Sequence, residues 1–74
     1  REELSVREHM GMVLRRLQGR CFVPFEELFD PASGSAVLVV TFIALLELGK
    51  ETLIDITQAE AFAPIYVRLA YSPS

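Results

Sequence analysis

Seventy-four residues, 51% hydrophobic and 23% charged, are enough for one hydrophobic core, because a domain of this size buries only about 60% of the surface its unfolded chain exposes. A deep substrate cavity would consume that core, which excludes an elaborate active site. Ten acids against seven bases give a net charge of −3, the wrong balance for a phosphate-binding surface unless the bases cluster. They do not: Arg1, Arg7, Arg15, Arg16, Arg20, Lys50 and Arg68 are scattered along the chain.

The first element is expected at Ser5-Val6-Arg7-Glu8, which has the S-x-x-E form of a capping box. Val6, Met10, Val13, Leu14 and Leu17 follow on one helical stripe, with Arg7, Glu8, Arg15 and Arg16 toward water. Arg15, Arg16 and Arg20 suit the negative end of the helix dipole, and Gly19 stops the helix. Cys21-Phe22-Val23 reads as a short edge strand ended by Pro24. Phe25 to Phe29 reads as a brief helix with Phe25, Leu28 and Phe29 on one side and Glu26 and Glu27 in its first turn. Asp30-Pro31-Ala32-Ser33-Gly34 is a loop by its turn residues.

Ser35 is the expected cap of the longest helix, from about Ala36 to about Glu51, apolar on nearly every face. Leu53–Thr57 and Ile65–Leu69 alternate as half-buried strands, and Gln58–Pro64 between them forms a wing. The order helix, strand, helix, helix, strand, wing, strand is that of an α+β winged helix, with three helices, a small antiparallel sheet and a wing. Residues 71–74, ending Ser72-Pro73-Ser74, are expected to be a flexible tail.

Cys21 is the chain's one cysteine. It has no internal disulfide partner, and small secreted domains depend on several, so a reducing cytoplasm is expected. Phe22 and Val23 beside it predict a buried, unreactive thiol. The chain opens at Arg1 without a signal-peptide pattern and reads as a piece of a longer protein. Its longest apolar run, Ala36–Leu46, is far short of the ~20 residues that span a bilayer. His9 has no second ligand at metal spacing and is expected to be exposed. Glu26/Glu27 and Glu47/Glu51 lack a neighbouring nucleophile and read as solvated faces. The four glycines form no phosphate loop. No catalytic, cofactor or metal site is expected, and the chain is not read as an enzyme.

A winged helix that reads DNA presents Arg, Lys, Asn or Gln from its third helix, and this helix has none before Lys50. A DNA-binding regulator fragment is the alternative reading; it requires salt-sensitive binding through several cations. On a helical wheel Val37, Leu38, Leu45 and Leu48 group toward the core, while Val39, Phe42, Ile43 and Leu46 form a second apolar stripe that a chain this small cannot easily cover. That stripe is a candidate protein interface, and uncovered it also lets isolated copies self-associate. The wing adds Glu60, Phe62, Pro64 and Tyr66 near a sheet edge able to pair with another chain; a wing aromatic packed on its own sheet is the other reading of the same residues.

Four ordered blocks carry a resemblance: Ser5-Val6-Arg7-Glu8-His9-Met10, Val23-Pro24-Phe25-Glu26-Glu27-Leu28-Phe29, Val40-Thr41-Phe42-Ile43-Ala44-Leu45-Leu46-Glu47-Leu48, and Gln58-Ala59-Glu60-Ala61-Phe62-Ala63-Pro64-Ile65. Together they resemble the C-terminal winged-helix domain of the bacterial kleisins of the ScpA (segregation and condensation protein A) family. Ala61, Ala63 and Pro64 depart from that family's common E-P-F-G-D-I wing. The resemblance implies a domain that docks on the ATPase head of an SMC protomer, in a cytoplasmic, nucleoid-associated complex for chromosome condensation and segregation. It implies ScpB as a partner through the full-length chain, with no direct specific DNA binding and no membrane. Related kleisins use the third helix and winged sheet, which implies Phe42 and Leu46 at the centre of an interface including Val39, Ile43 and Phe62.

Overall fold

A computed structural model describes residues 5–71, and the expected tail beyond Tyr71 lies outside them. Ser5 Oγ accepts the Glu8 N–H at 3.2 Å and starts helix α1, Val6–Leu17. The Ser5 carbonyl accepts both the His9 N–H at 3.1 Å and His9 Nδ1 at 2.9 Å. This bond draws the ring down onto the helix, so His9 is half-buried rather than exposed. At the other end the Arg20 N–H reaches the Leu17 carbonyl at 3.2 Å. Gly19 takes φ +76, a left-handed turn that favours glycine.

Strand β1 is Val23–Pro24, β2 is Ile54–Gln58 and β3 is Ile65–Leu69. All pairing is antiparallel in the order β1-β3-β2, with Val67 opposite Val23 on one side and Ile56 on the other. Pro24 lies on an edge strand, where a missing N–H breaks no ladder. The first strand starts later than Cys21, and Cys21 and Phe22 are both exposed, contrary to the expected buried thiol. Val23 is buried beside Val67, which turns Phe22 to the opposite face, whereas Cys21 lies in the bend before the strand begins, outside that alternation.

The expected brief helix is a single 3-10 turn, Phe25–Leu28, and a second 3-10 turn, Pro31–Ser33, occupies the expected loop. Asp30 Oδ1 accepts the Ala32 N–H at 2.9 Å and caps that second turn. The described residues therefore hold two α-helices, with the 3-10 turn in the place of the middle helix. The α+β class and winged-helix element order otherwise hold.

Helix α2 spans Ser35–Lys50, and its cap is Gly34 rather than Ser35. Gly34 adopts φ +94 and ψ 171, a backbone geometry available essentially to glycine, and no side chain caps the helix. Ser35 is already the first helical residue. One side of α2 lies against α1 and the sheet, where Leu45 and Leu48 join Val13, Leu17, Val23, Leu28, Ile54 and Val67 in one buried cluster. Met10, Leu14, Phe25, Leu53 and Leu69 close its perimeter.

Candidate functional site

The covered side of α2 consists of Val40, Thr41, Ala44, Leu45 and Leu48. Val37 and Leu38, expected in the core, are only half-buried. Their turn extends past the end of the main cluster toward the Pro31–Ser33 turn. The core stripe is thus rotated toward Val40, Thr41 and Ala44, where small side chains allow close helix packing.

The opposite stripe remains open to solvent. Val39 is 56% exposed, Phe42 45%, Ile43 44% and Leu46 54%. Their offsets of three, four and seven residues put them on one face. Phe42 meets Phe25 edge to face at 6.1 Å and 87°, and Phe25 meets Phe29 at 5.2 Å. These ring contacts carry the apolar surface from the helix onto the Phe25–Leu28 turn and fix Phe42 without covering it. Contiguous apolar surface of this kind is uncommon on a protein that works alone.

Phe62 stands apart. It occupies the wing between β2 and β3, makes no aromatic contact with Phe42, and is 102% exposed, so its ring touches almost nothing in the chain. Its backbone takes φ +67, unusual for a bulky residue. The structure thus gathers Val39, Phe42, Ile43 and Leu46 on one helix face and sets Phe62 on a separate projection.

A further surface was not legible from the residue types. Phe22, Thr57, Ala59, Ala63, Pro64 and Tyr66 line a shallow groove of about 430 Å³ on the sheet face away from α2. Arg68 bridges to Asp55 at 3.1 Å and lies 5.5 Å over the Phe22 ring. Alternation through Phe22-Val23, with Val23 inward, is the signal that would have found it. On the core-facing side of β2 burial ends at Ile54, and Ile56 is 43% exposed at the rim near Gly49.

Among the described residues, the two acidic pairs sit in different surroundings. Glu26 and Glu27 are exposed, and Glu27 is held by Arg20 at 2.9 Å and, through its carbonyl, by Arg16 at 3.2 Å. Glu47 is half-buried and with Glu51 lines a shallow hollow also bounded by Val6, Arg7 and Met10. Among the described residues no group of three or more His, Cys, Asp or Glu is placed to hold a metal ion. No helix among them is long and apolar enough to cross a membrane.

Comparison with known proteins gives the context for these surfaces. A family described as "Segregation and condensation protein ScpA" matches residues 1–70. Segregation and condensation protein A of Xylella fastidiosa is 48% identical over 68 residues, covering 92% of this chain and 22% of the relative. The protein of that name from Coxiella burnetii is 43% identical over 68 residues, 92% of this chain and 26% of the relative. That of Listeria monocytogenes serotype 4a is 45% identical over 69 residues, 90% of this chain and 27% of the relative. The chain spans about a quarter of the length of these relatives. Since the family match runs through both helices and all three strands, the chain belongs to the ScpA family.

Proposed function

We propose that this chain is a protein-interaction domain of a kleisin subunit, docking on the ATPase head of an SMC protomer in a bacterial condensin-like complex. The observation that carries the reading is the open apolar face of α2, Val39, Phe42, Ile43 and Leu46, in a chain of this family. Apolar and aromatic anchors at the centre of such a patch, once desolvated, supply most of the affinity of an interface. The face lacks the cations and amides that would grip phosphates or read bases, which disfavours the DNA-binding alternative.

Mechanistically the domain catalyses nothing. It holds one end of the kleisin on an SMC head, while ScpB and the second SMC protomer engage other parts of the full-length chain. ATP-driven engagement and release of the heads then acts on chromosomal DNA through a closed assembly, in chromosome condensation and segregation. The site of action is cytoplasmic, at the nucleoid.

Isothermal titration of the chain into the purified SMC head from the same organism, at physiological salt, tests this reading. One-to-one saturable binding is expected, lost in a Leu46→Lys variant whose circular dichroism is unchanged. Absence of binding by the unsubstituted chain overturns it. Tight DNA binding that weakens steeply with salt would favour the alternative.

A further inference from the structure

The wing from Ala59 to Pro64 is built in a way that the open face of α2 is not. The Gln58 side-chain amide crosses the base of the turn and donates to the Ala63 carbonyl at 2.8 Å. The Ala63 N–H donates to the Glu60 carbonyl at 3.0 Å. These two bonds bracket Phe62, hold Ala63 on its far side, and leave Phe62 at φ +67 with its ring wholly in solvent. A bulky residue at positive φ costs folding free energy, and a fully exposed phenyl ring returns none of it through packing. Strain without a compensating contact inside the chain is characteristic of positions whose contact lies outside it.

We propose that Phe62 is a preformed plug for a concave apolar pocket on the partner, and that Gln58 is the positioning residue that holds the wing in the shape presenting it. The inference rests on the docking reading above and deepens it by giving the partner surface a form. A ring standing clear of its own chain cannot bury both faces against a flat surface, so the complementary site is a pocket. Preorganisation is the benefit: a turn already ordered loses less freedom on binding than a mobile one.

Two variants of the 74-residue chain test the proposal, by titration into the SMC head and by ¹⁵N relaxation of the free chain. Phe62→Gly suits a positive φ and is expected to shift the thermal midpoint by less than about 4 °C while weakening binding at least about tenfold. Gln58→Met keeps side-chain length and removes the donor. It is expected to drop wing order parameters from about 0.85 to below about 0.6, weaken binding several-fold, and add no further loss on top of Phe62→Gly. Binding by a folded Phe62→Gly variant within twofold of the original chain overturns the plug and leaves the docking reading intact. Unchanged wing order in Gln58→Met, or an equal loss in both backgrounds, overturns the positioning role. If the original chain does not bind the head, the docking reading falls and the plug with it.

Discussion

Helix α2 carries the same residue types on two sides with opposite fates. Leu45 and Leu48 are only 1% and 0% exposed, whereas Leu46, between them in sequence, is 54% exposed. Nothing in the local chemistry of these leucines differs; what differs is that α1 and the sheet reach one side only. The lesson is that an apolar helix in a small domain is read by counting what is available to cover it. A helix with more apolar faces than neighbours retains one for another molecule.

The sharpest way to break this comparison is to shorten a leucine on each side. Leu45→Ala is expected to cost about 2–5 kcal/mol, enough to unfold much of a domain whose core supplies only about 3–5 kcal/mol. Leu46→Ala is expected to change stability by no more than about 0.5 kcal/mol. Urea denaturation followed by circular dichroism reads both, and equal losses would mean that the two sides are alike after all. Leu46→Lys moves the question to binding: affinity for the head is expected to drop at least about 30-fold with the denaturation midpoint unchanged.

A subtler difference lies within the buried side. Thr41 is 1% exposed and its hydroxyl oxygen has no hydrogen-bond partner. Burying an unpaired hydroxyl is costly, so Thr41→Val is expected to raise stability by about 1 kcal/mol, read as a higher thermal midpoint. A lower midpoint would mean that the hydroxyl finds a partner in solution. A small effect is also expected at the sheet. Arg68 and Asp55 are each about half exposed, so Arg68→Ala should cost less than about 1 kcal/mol, mostly abolished in 1 M salt.

Much of the fold could be read from local pattern. The α1 stripe, the Ser5 cap and the bounds of β3 depend on spacing within one element, and each appears in the structure where the pattern puts it. The failures have a shared cause. Cys21 was assigned inward from its apolar neighbours, yet pairing with β3 begins only at Val23 and leaves Cys21 in the bend before the strand. Val37 and Leu38 were assigned to the core by wheel position, but the cluster ends before their turn. Both outcomes depend on partners remote in sequence, which periodicity within an element does not encode. Ser35 lost the cap to Gly34 for a different reason: a backbone at φ +94 selected glycine over a side-chain oxygen. The open stripe on α2 was legible because it follows from the size of the chain as much as from its order. The exposure of Phe62 was not, since a wing aromatic can equally fold back on its own sheet.

The position of β3 at the centre of the sheet also governs the order of assembly. The hairpin of β2 and β3 closes a short loop and can form in microseconds, but β1 joins it from the far end of α1, across most of the chain. Without β3, β1 and β2 have no strand to pair with and Val67 is missing from the core. A ribosome delivers that strand after both helices, so α2 emerges with α1 alone to cover its inner side. For that interval the apolar surface proposed for docking stands bare beside an unfinished core, and a chaperone that shields one shields the other.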